Sequence, residues 1–329
     1  MSSDFVVWSF RFRLQAEEPV FFPPGKAANV LRGAFGTIFR RMACIPECED
    51  TRTCDMAGKC AYAMLFEPRQ EWVNEAGPSG LADWPRPFVF RALHLDGRRI
   101  ERGEEFYFDV VLFEPPERPL PYFVLVFREL AEAGLGPSRG RAVLTAVEDL
   151  TGGGELVFDG RRMRDAELAG RRFELGEPEG VAVERVAVRF VTPTELKVGG
   201  ELAARPEFGV LVRRIRDRVS NLRAFYQGGG LGVDFEGLAE LADRVRMTRC
   251  AVRYEGGVER RSSRTGMRHG LGGFVGEAEY EGELGPLMPY LRVGEWVGVG
   301  RQTVWGKGCF EVNIAGCAEF IVDRSNDVC

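Results

Sequence analysis

Read for periodicity, the chain spells strand, helix, strand, strand, helix, strand, and then spells the same order again. In the first half, "FVVWSFRFRL" alternates and is rich in β-branched and aromatic residues, the signature of a strand. "KAANVLRGAFGTIFRRMA" sets Val30, Leu31, Phe35, Ile38 and Phe39 on one helical face. "PFVFRALHL" and "EEFYFDVVLFE" form a strand pair, and "PLPYFVLVFRELAEAG" is a helix opened by proline. A glycine-rich turn, "GLGPSRGR", leads into the closing strand. The second half repeats the plan with "VERVAVRFV", "PEFGVLVRRIRDRVSNLRAFY", "MTRCAVRYEG", "GGFVGEAEYEG", "LGPLMPYLRVGEW" and "CFEVNI". That order is the βαββαβ unit, so the expected class is α+β, two tandem ferredoxin-like (RRM-like) domains. We expect the first over 1–150 with a cysteine-rich insertion at 44–66, then a connector at 151–182. The second spans 183–316, with a glycine-rich loop at 298–308 and a tail at 317–329.

A chain of 329 residues, 45% hydrophobic, has enough material for two cores. No apolar run approaches the roughly 18 residues of a membrane span, and "MSSDFVVWSFRFRLQ" lacks a signal peptide's plan, so a cytoplasmic, membrane-free protein is expected. The net charge of -5 does not mark a nucleic-acid binder, yet the charge is uneven. From Arg205 to Arg268 there are 14 arginines and 8 acids, a balance of +6 within an acidic chain. Such clustering suits a phosphate-binding face. The choice of arginine over lysine says nothing, because only four of the 44 basic residues are lysines.

The loop "VGVGRQTVWGKG" pairs Gly298 with Gly300 and Gly306 with Gly308. Glycines there supply either positive φ for a tight return or bare N–H groups for a polyanion, with Arg301 and Lys307 adding charge. The basic residues and the sketch of the same turn in the first half favour the second reading. This glycine pattern resembles the C-terminal motif of the CRISPR-associated RAMP superfamily, and most closely its pre-crRNA-processing endoribonuclease branch. "LRGAFGTIFRRMAC", "CAYAMLFEP", "LPYFVLVFRELAEAGLGPSRGR", "FVTPTELK" and "LGGFVGEAEYEGELGPLMPYLRVGEWVGVGRQTVWGKG" resemble that family too, in order, over most of residues 25 to 312. The resemblance implies RNA lying across a basic face and cleavage of CRISPR repeat RNA without metal. The guide RNAs so made serve antiviral defence. It implies repeat RNA and crRNA as partners, with other CRISPR effector subunits beyond them. A non-catalytic RNA-binding subunit of an effector complex is the alternative. Two departures stand out. Lys307 occupies a position usually apolar in the motif, and the family's histidine near the first helix is missing, because no histidine precedes His94.

Metal-free RNA cleavage needs a base for the 2′-hydroxyl, an acid for the leaving oxygen and cations for the added charge. Of the two histidines, His94 sits in a strand pattern and reads as structural. His269, between glycines and after Arg260, Arg261, Arg264 and Arg268, is the catalytic candidate. Lys26 is the next, at a helix N-terminus that depresses an ammonium pKa and attracts phosphate. The arginine loop otherwise reads as a solvated face. "CIPECEDTRTCDMAGKC" places Cys44, Cys48, Cys54 and Cys60 within 17 residues. They suit a structural Zn²⁺ or iron-sulfur cluster, or simply cysteines stapling a polar insertion; no cofactor is expected for catalysis. Asp217, Asp234, Glu236, Glu240 and Asp243 would be needed for a metal-dependent nuclease and read as helix-surface charges.

Overall fold

The computed structural model describes residues 3–69, 84–176, 182–256, 259–261 and 268–314, of which 259–261 and 268–269 are described by their backbone. Two compact units emerge. The N-terminal unit comprises Val6–Arg171 with Asn221–Gly230, and the C-terminal unit comprises Met1–Phe5, Arg172–Ser220 and Leu231–Cys329.

In the first half of the chain the elements are β1 (Asp4–Ala16), β2 (Val20–Phe21), α1 (Ala27–Ala43), α2 (Ala61–Phe66), β3 (Phe88–Arg91), β4 (Arg99–Ile100), β5 (Glu105–Leu112), α3 (Pro119–Ala133), β6 (Ala142–Asp149), β7 (Glu155–Phe158) and β8 (Arg171–Glu174). The sheet order β3-β5-β1-β6-β7 is antiparallel throughout. Dropping the β7 extension leaves the second, third, first and fourth strands of a βαββαβ unit side by side. Alternation along β1 sends Phe10, Phe12 and Leu14 into an aromatic core. Phe35 of α1 sits at its centre, with ring centroids of Phe39, Phe66, Phe88, Phe90, Phe123 and Phe127 all within 6.0 Å. Truncating such a residue to alanine costs about 3–5 kcal/mol. Gly36 lets α2 close on α1, because a methyl there would meet the Phe66 ring at 2.2 Å.

The second half continues with β9 (Arg185–Thr194), β10 (Lys197–Val198), β11 (Glu201–Leu202), α4 (Phe208–Tyr226), α5 (Phe235–Arg244), β12 (Arg246–Glu255), β13 (Glu259–Arg261), β14 (Arg268–Gly270), β15 (Gly273–Glu281), α6 (Met288–Val297) and β16 (Phe310–Ile314). Its main sheet, β12-β15-β9-β16, repeats the same spatial order, again antiparallel. Phe208, Leu211, Val212, Ile215 and Val219 of α4 and Tyr290, Leu291, Val293 and Val297 of α6 are buried. One expectation changes in detail. "PFVFRALHL" is a strand only to Arg91; His94 lies in a 3-10 turn at Leu93–Leu95. The 151–182 stretch contributes β7 and β8.

Candidate nucleic-acid interface

The glycine loop follows α6 directly. Gly298 (φ 70), Gly300 (φ 81), Gly306 (φ 75) and Gly308 (φ 72) are all left-handed, as is the non-glycine Gln302 (φ 71). The side chains are cleared away for the loop's own backbone. A methyl on Gly308 would lie 2.0 Å from the Val299 carbonyl oxygen, and one on Gly300 would lie 2.3 Å from that of Glu195. The N–H groups of Gly298, Val299, Arg301, Trp305, Gly306, Lys307 and Gly308 donate to carbonyls of Gly294, Gly308, Glu195, Gln302, Thr303, Gln302 and Pro193 respectively. These glycines permit close chain packing, and the seven N–H groups named are engaged within the protein.

What the loop offers is side chains. Arg301 donates to the Glu195 carboxylate at 2.6 Å, with the arginine 58% exposed and the glutamate 11%. Gln302 donates from Nε2 to the carbonyl of Gly270 at 2.8 Å. That bond ties the glycine loop to the hairpin of β13 and β14, where Arg260 faces His269, Arg261 faces Arg268 and Glu259 faces Gly270. The structure therefore brings the hairpin carrying His269 to the glycine loop. Arg264 lies outside the described residues. Lys307 is only 5% exposed, so the loop's second cation faces inward.

The other candidates disperse. Lys26 is the N-cap of α1 without a side-chain capping bond. The helix's anion position is already filled, because the Asp96 carboxylate accepts from the Ala27 N–H at 2.7 Å. His94 stacks on Tyr107 (4.3 Å between ring centroids), and its Nε2 meets the Tyr107 carbonyl at 2.8 Å. Burial pushes the His94 pKa down. Tyr107 also lies against Arg11, which makes a buried two-pronged ion pair with Asp109 at 2.8 and 2.9 Å. His94 is part of a packed polar cluster.

Most of the basic excess between Arg205 and Arg268 is committed inside the protein. Arg213 pairs with Asp243, Arg216 with Asp217, Arg249 with Glu279 and Arg253 with Glu255. Arg218 and Arg223 donate to backbone carbonyls of Val297 and Gly229. The same pairs use up Asp217 and Asp243, and Asp234 caps α5 through the N–H groups of Glu236 and Gly237. Net basicity was visible in the sequence; which arginines had intramolecular partners was not.

Cys44 closes α1 and Cys60 opens α2. The thiols are neighbours: burial, Cys60 and Cys48 raise the Cys44 pKa to about 12. Burial and Cys54 raise that of Cys48. Cys44 thus neighbours Cys60 and Cys48, and Cys48 neighbours Cys54, while among the described residues no three His, Cys, Asp or Glu side chains already stand as ligands of one metal ion. Sequence reasoning gave no role to two residues of this candidate interface. Glu195 stands in "FVTPTELK" and Gln302 between the glycine pairs; a bulky polar residue inside a glycine loop was the available signal.

Residues 5–168 match a family model described as an N-terminal domain, and residues 188–310 match the model described as CRISPR-associated endoribonuclease Cas6. A comparison with curated proteins gives no match. Among solved structures, a Cas6 product complex superposes with a TM-score of 0.53 at 17% identity, covering 93% of this chain and 100% of that one. Cas6 of Thermus thermophilus gives 0.51 at 15%, covering 94% and 99%. A partial Cas6-RT-Cas1–Cas2 complex gives 0.52 at 12%, covering 97% of this chain and 48% of that one. At such identities the superpositions speak for the fold. No described helix is long and apolar enough to cross a membrane. The repeated βαββαβ order is the fold of those Cas6 structures, and residues 188–310, which include the glycine loop closing the second unit, are similar to the CRISPR-associated endoribonuclease Cas6 family.

Proposed function

We propose that this protein binds CRISPR repeat RNA and cuts it at one position without a metal ion, giving guide RNAs for antiviral defence. The observation that carries this reading is the match of residues 188–310 to an endoribonuclease family model. That stretch contains the glycine loop and the hairpin that Gln302 ties to it. In the reaction the 2′-oxygen bonds to the adjacent phosphorus and the bond to the 5′-oxygen breaks. The products are a 2′,3′-cyclic phosphate and a 5′-hydroxyl end. A base takes the 2′-hydroxyl proton, an acid returns one to the leaving oxygen, and cations hold the phosphorane charge. His269 is the proton-transfer group, with Arg260, Arg261, Arg264, Arg268 and Arg301 as phosphate ligands. Lys26 is the reserve candidate. Holding the 2′-oxygen in line with the leaving oxygen supplies much of the rate.

One of the solved structures that this chain superposes on is a partial Cas6-RT-Cas1–Cas2 complex. This supports association with other CRISPR proteins. The alternative, RNA retention without cutting, draws on His94: locked against Tyr107, it leaves a single histidine for chemistry. Incubating the protein with its repeat RNA in EDTA tests the proposal. One cleavage site with a cyclic phosphate end supports it. Tight binding of intact RNA transfers the reading to the alternative, and cleavage abolished by EDTA overturns the metal-free step.

A further inference from the structure

The segment between α1 and α2, residues 45–59, holds its place with almost no core of its own. Its one regular element is a 3-10 turn at Ala57–Lys59, and only Thr51 and Ala57 are buried. The two large apolar side chains turn outward, Ile45 at 45% and Met56 at 46% exposure. Even so, the backbone closes turn after turn. The N–H groups of Cys48, Thr53, Ala57 and Cys60 donate to the carbonyls of Ile45, Asp50, Cys54 and Met56. A polar connection this long, burying so little, needs a staple.

Four free, half-buried thiols stand where a staple would be. Cys44 ends α1, Cys60 opens α2, and both pack against the aromatic core. The Cys60 thiol reaches the Ala43 carbonyl at 3.8 Å. The sulfurs form a row, Cys60 beside Cys44, Cys44 beside Cys48, and Cys48 beside Cys54. Two disulfides would use each sulfur once and give the contact between Cys44 and Cys48 no part. A tetrahedral cation uses all four sulfurs. Thiolates gathered on a divalent cation leave net negative charge, and a counter-charge is in place. Arg40 donates to the carbonyls of Cys48 and Glu49, and its charge favours a thiolate at Cys48. Soft sulfur donors select Zn²⁺ over Mg²⁺ or Ca²⁺. Among the described residues no three donors yet surround one point. Closing the row takes a swing of Cys54 toward Cys60, which the exposed residues on either side of Cys54 permit.

We propose that Cys44, Cys48, Cys54 and Cys60 together hold one Zn²⁺, which fastens the 45–59 segment and joins the end of α1 to the start of α2. Each thiol releases its proton as the ion binds, so uptake weakens as pH falls. The ion is structural and takes no part in RNA cleavage.

The test is elemental analysis of the full chain purified under reducing conditions without chelator, with Co²⁺ exchanged for Zn²⁺ in a second sample. About one Zn²⁺ per chain is expected, and the Co²⁺ form should show the strong sulfur-to-cobalt charge-transfer band of a tetrathiolate site. Cys54→Ser and Cys60→Ser should each weaken Zn²⁺ retention by about tenfold or more, since losing even a supporting contact costs that much. Cys250→Ser, outside the row, should keep the metal. Folded, reduced wild type that holds no Zn²⁺ and gives no cobalt band overturns the proposal, whether or not the variants fold. So does iron with sulfide in place of Zn²⁺, or full retention by a folded Cys54→Ser protein. Zinc is measured again after the EDTA incubation used for cleavage, which keeps loss of this ion distinct from failure of the metal-free step.

Discussion

Each unit returns from its second helix to its closing strand through a glycine loop, at 134–140 in one and 298–308 in the other. Both are shaped by the same steric rule. Methyl groups on Gly134, Gly136 and Gly140 would lie 2.4, 2.5 and 2.2 Å from carbonyl oxygens of Arg139, Phe21 and Pro19, much as Gly300 and Gly308 are confined. Each loop also forces one non-glycine residue to positive φ, Arg139 (φ 51) and Gln302 (φ 71). The loops part in what that residue does. Arg139 is exposed, whereas Gln302 reaches 2.8 Å to the Gly270 carbonyl and holds a hairpin bearing arginines and a histidine. The glycines belong to the fold; what distinguishes the second loop is that its positive-φ residue carries the tether, whereas in the first loop Ser138 bonds the Phe21 N–H and the Pro19 carbonyl.

The comparison can be broken at the hairpin first. His269→Ala should slow cleavage by about 10²- to 10⁴-fold, with RNA still bound and the pH-rate limb near 6 to 7 gone. His94→Gln should leave that limb in place. A His269→Ala enzyme within a few-fold of wild type would sink the assignment. Next, Gly308→Ala and Gly140→Ala should each destabilise by about 3 kcal/mol or more, read by denaturant titration, since each drives a methyl into a carbonyl oxygen. Loss of RNA binding by Gly308→Ala without loss of stability would restore the polyanion-cradle reading of this loop.

Gln302→Ala should cost about 1 kcal/mol and increase hydrogen exchange in the β13–β14 hairpin, while Arg139→Ala stays within about 0.5 kcal/mol. Equal effects would erase the distinction between the loops. The two histidines also differ in their pH signature. Because burial lowers the His94 pKa, the unfolded chain takes up that proton more readily. Its stability contribution is present above about pH 6.5 and is lost as pH falls toward the folded pKa. The gap in melting temperature between wild type and His94→Gln should therefore shrink from pH 8 to pH 5; a constant gap contradicts this. Smallest of all, Arg301→Gln should reduce the salt slope of RNA binding by about 0.7, and an unchanged slope removes Arg301 from the RNA path.

The strand-helix order was readable because hydrophobic periodicity is local. Alternation in β1 and the i, i+3, i+4 spacing in α1 each state which face is buried, and two halves agreeing on one order left few other arrangements. The glycine loop was readable for the same reason, since positive φ selects glycine residue by residue. Partnership was not readable. Whether Arg213 meets Asp243 or a phosphate, whether Lys307 faces out or in, and whether Cys44 to Cys60 form a closed ligand set depend on positions tens of residues apart. The same holds for Trp84 stacking on Phe225, 141 positions away. Local sequence determines the backbone that a residue can adopt. Only the folded chain decides what its side chain touches, because contact is set by distances between elements that no short window contains.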